Sequence, residues 1–108
     1  MHKLQAAFLI LGYNNTRLND IRKIRNRALI HFHAATILCK SQLKSEDLEA
    51  ADYAIDASLE GSYESVRTVL RFIADNHLRL LGILPFSDQG TQLGAVLAKK
   101  LGLRGPQP

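Results

Sequence analysis

The stretch that decides the fold, residues 6–12, reads Ala6-Ala7-Phe8-Leu9-Ile10-Leu11-Gly12. A continuous apolar run of this length that ends at a glycine is typical of a strand buried on both faces of a parallel sheet. The apolar residues that follow recur at helical spacing, at Leu18, Ile21, Ile24, Ala28 and Leu29. The pattern therefore predicts a first strand, a polar loop over residues 12–16, and a helix whose N-cap is Thr16.

Three further strands and three further helical segments follow. Strand patterns recur over residues 34–39, 53–55 and 80–86, and Pro85 suits the end of its strand because proline has no amide hydrogen to donate. A helical turn begins at Ser45, a helix capped by Ser62 ends near Asn76, and a last helix covers residues 91–101. Alternating strands and helices indicate parallel pairing through right-handed crossovers. We therefore predict an α/β, Rossmann-like, three-layer α/β/α fold with a four-stranded parallel sheet in the order 3-2-1-4.

In open sheets of this kind, ligands bind beyond the carboxyl ends of the strands, where the strand order reverses. That point lies between the first and fourth strands, so the loops that follow these two strands are expected to border one cleft. The candidate substrate-binding residues are Tyr13, Asn14, Asn15 and Thr16 in the first loop and Ser87, Asp88, Gln89, Gly90 and Thr91 in the second.

Each loop has two interpretations. The first offers neutral hydrogen-bonding groups beside a helix N-terminus, which suits a carboxylate or a phosphate, but the same residues also suit a turn and a helix cap. In the second, Asp88 can accept a hydrogen bond from a substrate amine or hydroxyl, or it can cap the helix that follows. Gly90 lets the backbone approach closely in either case. The spacing of the residues leaves both alternatives open.

The net charge of +4 over 108 residues is unevenly placed. Residues 1–40 carry seven Lys or Arg side chains and one Asp, so this part is +6 and the remainder is −2. Five of these cations fall on or beside the first helix: Arg17, Arg22, Lys23, Arg25 and Arg27. A nucleic-acid surface usually adds aromatic platforms or a docking motif, and neither is present. A solvated helix face is therefore favoured, and nucleic acid is not an expected partner.

Other kinds of site are excluded by what the sequence lacks. Cys39 is the only cysteine, so an internal disulfide and a cysteine-based zinc site are both ruled out. His31 and His33 have no carboxylate or cysteine partner at metal-ligand spacing. The sequence has no G-x-S-x-G elbow, no G-x-x-x-x-G-K-[ST] phosphate loop and no apolar run of about 20 residues that would cross a membrane. We expect a cytoplasmic protein without a metal site or a membrane contact.

The most specific motif lies near the end of the chain. It reads Leu80-Leu81-Gly82-Ile83-Leu84-Pro85-Phe86-Ser87-Asp88-Gln89-Gly90-Thr91-Gln92-Leu93-Gly94-Ala95, followed by Leu97-Ala98-Lys99-Lys100-Leu101-Gly102-Leu103-Arg104-Gly105. On these residues the chain resembles the pre-ATP-grasp domain, the N-terminal Rossmann-like part of ATP-grasp ligases, including carbamoyl-phosphate-synthase-like and amino-acid-ligase-like members. In that family a strand ends in an acidic residue, a helix rich in Leu and Ala follows, and a Leu-Gly-Leu-Pro-Gly-like turn leads into the ATP-grasp fold. Asp88 stands where many members have Glu, and Arg104 replaces the commonest proline.

The resemblance implies a substrate-side domain over residues 1–105, with residues 106–108 as a linker toward a missing C-terminal ATP-grasp domain. The full-length enzyme would join a carboxylate to an amine or a thiol after ATP phosphorylates the carboxylate, and it would use ATP and Mg²⁺. This chain is expected to bind no cofactor, to have no catalytic residue and to be inactive alone. The residues leave one alternative, a free-standing binding module that docks its basic helix, through Arg22 and Arg25, on an anionic partner such as RNA.

Overall fold

The computed structural model describes residues 3–12, 18–86 and 88–103, and the side chains of residues 88 and 89 lie outside this description. The elements in chain order are β1 (Gln5–Leu11), α1 (Leu18–Phe32), β2 (Ala35–Lys40), α2 (Ser45–Ala50), β3 (Tyr53–Asp56), α3 (Tyr63–Asp75), β4 (Leu78–Pro85) and α4 (Asp88–Leu101). All neighbouring strands pair in parallel, in the order β3-β2-β1-β4. The predicted fold class and strand order are confirmed.

Two separate cores lie on opposite faces of the sheet, because successive side chains of a strand point to alternate sides. The larger core, under α3 and α4, includes Leu9, Leu11, Ile37, Cys39, Val69, Leu93 and Leu97. The smaller core, under α1 and α2, consists of Ile10, Ile21, Leu38, Ala50 and Ala51. Successive residues along β1, and likewise along β2, thus belong to different cores. Because both faces of these strands are buried, their sequences are almost entirely apolar.

Polar contacts tie the elements together on the α1/α2 face. The Asp52 carboxylate accepts hydrogen bonds from the backbone N–H of Thr36 at 2.9 Å and from its hydroxyl at 3.2 Å. The Arg25 guanidinium lies 3.3 Å from Asp52 and donates to the backbone carbonyl of Glu49 at 3.1 Å. These bonds join β2, α1 and the end of α2 where the apolar core is small.

Beside α1, the same face carries a shallow apolar recess of about 180 Å³. The Phe8 ring lies over Gly82 of the edge strand β4, and Phe32 meets Phe8 edge-on with ring centroids 5.2 Å apart. Phe32 remains 57% exposed. This part of the sheet is therefore covered by side chains of α1 and β1 rather than by a helix of its own.

Several predicted boundaries are wrong by a few residues. β4 begins at Leu78, two residues before the predicted start, because the exposed Arg79 interrupts the apolar run without interrupting the strand. An edge strand tolerates such a charged side chain on its open side. In α1, Leu29 was expected on the buried stripe but is 62% exposed, since it is turned by about 100° from the buried Ala28.

Both ends of α3 match the prediction. The Ser62 hydroxyl accepts from the backbone N–H of Ser65 at 3.3 Å, so the predicted N-cap is confirmed. The helix ends at Asp75, and Asn76 is its C-cap, with φ of −101° and an N–H that still donates to the Phe72 carbonyl. The left-handed conformation, with φ of 53°, falls on the next residue, His77. The predicted end near Asn76 is therefore confirmed.

Candidate functional site

The carboxyl ends of β1 and β4 lie side by side at the point where the strand order reverses. Leu11 pairs with Pro85, and the N–H of Phe86 donates to the Leu11 carbonyl at 2.9 Å. On the other side of β1, the N–H of Gly12 donates to the Cys39 carbonyl at 2.9 Å. Gly12 has φ of 76°, a left-handed conformation that suits glycine. The backbone that supports the predicted cleft is thus in place.

Gly90 brings the start of α4 against the end of β1. A Cβ atom at this position would lie 2.7 Å from the Leu11 carbonyl oxygen and 2.9 Å from the Leu11 Cβ. Both distances are shorter than the contacts that Cβ atoms make in proteins. The glycine therefore allows the first turn of α4 to touch the backbone of β1. The close approach predicted for Gly90 is present, and it is made to the neighbouring strand.

The second predicted loop is shorter than expected. Asp88, Gln89, Gly90 and Thr91 belong to the first turn of α4, which begins three residues before the predicted start. Asp88 is the first residue of this helix rather than a residue of the loop before it. Gly90 is buried and Thr91 is exposed on the surface of the helix.

Most side chains of the predicted cleft fall outside the residues that the structure describes. This applies to Tyr13, Asn14, Asn15, Thr16 and Ser87, and to the side chains of Asp88 and Gln89. The structure brings together the backbone segments that flank these residues, through Leu11, Gly12, Phe86 and Gly90. The substrate-binding roles of the nine residues stay predictions.

Lys40 is a polar residue at this edge that sequence reasoning missed. It ends β2, next to the carbonyl that binds Gly12, and its ammonium lies 3.2 Å from the Asp47 carboxylate. The Lys40 side chain is 13% exposed and that of Asp47 is 1% exposed. Asp47 also accepts from the backbone N–H of Lys44 at 2.7 Å. The pair thus buries one positive and one negative group almost completely beside the carboxyl ends of the strands.

The pairing of Lys40 and Asp47 has no signal in the sequence, because it depends on how α2 folds back on β2. At the end of β3, Asp56 accepts from the backbone N–H groups of Gln42 at 3.3 Å and Leu43 at 3.5 Å. Its carboxylate holds the connection between β2 and α2 in place. Polar groups therefore follow β2 and β3 as well as β1 and β4 along this edge.

Cys39 is buried in the larger core and does not act as a nucleophile. Burial, with a smaller contribution from the nearby negative charge of Asp56, raises the pKa of its thiol to about 12. A thiol with such a pKa stays protonated at neutral pH, and the thiolate is the reactive form. Cys39 fills space in the core, as its place in an apolar strand indicated.

The basic face of α1 is less extensive than the sequence suggested. Arg25 is engaged by Asp52 and by the Glu49 carbonyl, so its guanidinium is oriented toward the protein. Arg22, Lys23 and Arg27 are exposed. The structure does not test the alternative of a binding module that docks this helix on an anionic partner such as RNA, and the alternative stays a prediction.

The described part of the chain contains neither a metal-binding cluster nor a membrane-spanning helix. No group of three or more His, Cys, Asp or Glu side chains in residues 3–12, 18–86 and 88–103 is arranged to hold a metal ion. Among the helices described, none combines the length and the apolar character needed to cross a bilayer. Comparison with family models, with curated proteins and with solved structures gives no match for this chain.

Proposed function

We propose that this chain is the N-terminal, substrate-side domain of a cytoplasmic ATP-dependent ligase of the ATP-grasp superfamily, which joins a carboxylate to an amine or a thiol. The observation that carries the proposal is the contact of the first turn of α4, at Gly90, with the end of β1 at Leu11. This contact lies at the switch point of the parallel sheet, at the ends of the two strands that the predicted loops follow. The motif over residues 80–105 supports the same assignment.

In this function the chain binds and orients a small substrate. The backbone amides near Thr16 hold a carboxylate, and Asp88 accepts a hydrogen bond from an amine or a hydroxyl. Lys40 and Asp47 neutralise each other's charge. The pair therefore stabilises this edge of the sheet, and substrate binding is left to the loops. Chemistry takes place only when a C-terminal ATP-grasp domain closes on this edge.

ATP and Mg²⁺ belong to that partner domain. The sequence has no phosphate-binding loop, and the described side chains form no cluster of carboxylates of the kind that Mg²⁺ prefers. The polar side chains of the described residues therefore do not fit the nucleotide or its metal.

A titration of the ¹⁵N-labelled chain, followed by NMR, tests the proposal. Addition of small amino acids and dicarboxylates is expected to shift the amide signals of Gly12 and Gly90, while Mg²⁺-ATP leaves them unchanged. Asp88→Asn is expected to weaken amino-acid binding about fivefold or more, because a hydrogen bond to a charged group is lost. Asp75→Asn is the matched control, since Asp75 is an exposed aspartate at the last residue of α3.

Two results would contradict the proposal. Magnesium-dependent ATP hydrolysis by the purified chain would mean that it contains a nucleotide site of its own. A stop codon directly after the codon for Pro108 would remove the partner domain from the same polypeptide. An ATP-grasp fold encoded downstream would support the assignment.

A further inference from the structure

A groove of about 660 Å³ separates α3 from α4 on the outer side of the larger core. Its floor is apolar and consists of Val66, Leu70 and Val96. Val66 is buried, and Leu70 and Val96 are partly buried and pack against the larger core. The two helices therefore leave an apolar seam between them that is open to solvent.

Both walls of the groove carry positive charge. Arg67 and Arg71 lie one turn apart on α3, and Lys100 lies in the last turn of α4. All three side chains are exposed, and none forms an ion pair with another described residue. The dipole of α4 favours a lysine in its last turn, but Arg67 and Arg71 repel each other on the surface of α3. Glu64 and Asp75 lie within one turn of Arg67 and Arg71 on the same helix, so the excess of positive charge at the groove itself comes from these two arginines and Lys100.

An aromatic side chain stands at one end of the groove. Tyr63 begins α3 and is 77% exposed, although it lines the same space as the apolar floor. Gly61 lies beside it and leaves the groove open toward Gln92 and Val96 of α4. Tyrosine and arginine are the residues that most often dominate binding energy at protein interfaces.

We propose that the groove between α3 and α4 binds an acidic amphipathic helix of a partner protein. Such a helix lays its apolar stripe on Val66, Leu70 and Val96, and its acidic flanks meet the cations on both walls. Cations on opposite walls match a ligand with negative charge along two sides, whereas a small carboxylate needs a cation at one end only. The groove contains no residue of the cleft at the ends of β1 and β4, so this proposal is independent of the ligase assignment.

The test uses two fluorescein-labelled helical peptides of about 18 residues, long enough to form a helix on the groove. One carries leucines at helical spacing flanked by glutamates on both sides, and the other has lysine in place of each glutamate. Fluorescence anisotropy is expected to detect saturable binding of the acidic peptide, weaker at high salt because exposed charges are screened. NMR shift changes are expected at Gly61, Val66, Leu70 and Val96.

Variants of exposed side chains test whether the peptide binds in the groove or to positive charge elsewhere on the surface. Arg67→Glu combined with Arg71→Glu is expected to lower the affinity about tenfold or more, and Tyr63→Ala about fivefold. Arg22→Glu combined with Arg27→Glu on α1 changes the net charge by the same amount and is expected to leave the affinity within about twofold. Circular dichroism confirms that each variant is folded.

Four results would overturn the proposal. The first is equal binding of the acidic and the basic peptide, and the second is no binding of the acidic one. The third is an equal loss of affinity in the α1 and α3 double variants. The fourth is tight binding of the chain to phosphatidylglycerol vesicles that is lost in the α3 double variant, which would identify an anionic membrane surface as the occupant.

Discussion

The two faces of the sheet are held together in different ways. The α3/α4 face relies on apolar side chains from six elements that pack together, among them the fully buried Leu9, Leu11, Leu93 and Leu97. The α1/α2 face has a small apolar core and is joined by polar contacts, in which Asp47 pairs with Lys40 and Asp52 binds three groups. Truncation of an apolar side chain should therefore act mainly on the first face, and removal of a charge on the second.

The largest effect is expected from Leu97→Ala on the α3/α4 face. Leu97 is fully buried, so its truncation leaves a cavity and should lower the free energy of unfolding by about 3–4 kcal/mol. Phe32→Ala removes a larger side chain from the other face but should cost less than about 1.5 kcal/mol, because Phe32 is already 57% exposed. Urea denaturation followed by circular dichroism measures both values. Equal losses would mean that the two faces are equally packed.

A smaller effect is expected from Asp47→Ala on the α1/α2 face. This change leaves the Lys40 ammonium without its carboxylate at a position that is only 13% exposed, and should cost about 2–3 kcal/mol. Arg25→Ala is the matched change at an exposed pair, where the two side chains are 42% and 34% exposed, and should cost less than about 1 kcal/mol. Denaturation curves compare the two variants. A larger loss of stability in Arg25→Ala than in Asp47→Ala would mean that the exposed ion pair stabilises the fold more than the buried one.

Gly90→Ala tests the contact between α4 and β1. The new methyl group would meet the Leu11 backbone at 2.7 Å, so α4 must shift, at a cost of about 2 kcal/mol. Gly61→Ala places a methyl group at ordinary contact distance from Gln92 and Val96, and should change stability by about 0.5 kcal/mol or less. Thermal and chemical denaturation provide the comparison. If both variants were equally stable, the first turn of α4 would not be packed as described.

The smallest predicted effect is a pH dependence that comes from Cys39 on the α3/α4 face. Burial raises the pKa of the folded thiol from 9.0 to about 12, so the unfolded chain releases this proton at lower pH than the folded one. The stabilising contribution is complete below pH 9.0 and falls as the pH rises toward 12, by about 1 kcal/mol at pH 10. Cys39→Ala lacks the titrating group and should lose less stability between pH 8 and pH 10. Parallel losses in the two proteins would contradict the burial of this thiol.

The fold could be predicted because the two central strands have strong local signals, although the signal for β3 is weak. Residues 6–11 and 34–39 form continuous apolar runs, and alternation with helices then leaves few topologies. The start of α4 could not be predicted in the same way. Asp88 and Gly90 have low helix propensity, and the first turn of α4 is held by the packing of Gly90 against Leu11, a contact that exists only in the folded chain.

The position of the candidate site could be predicted from topology, since the order of the strands fixes where their carboxyl ends meet. The contacts among the polar side chains near these strand ends could not all be predicted. Lys40 and Asp47 are seven residues apart and belong to different elements, so no spacing rule connects them. The same holds for Asp52, which binds Thr36 and Arg25 from positions far along the chain.

The hydrogen bonds at the end of β1 have a consequence for hydrogen exchange. The Gly12 N–H donates to β2, and the Leu11 carbonyl accepts from Phe86 after β4. These two amide hydrogens should therefore exchange with solvent only when the central strand separates from its neighbours, which makes their protection comparable to that of the strand interiors. A ligand that arrives at this edge meets a floor that is already ordered, and its affinity is not reduced by having to organise that floor.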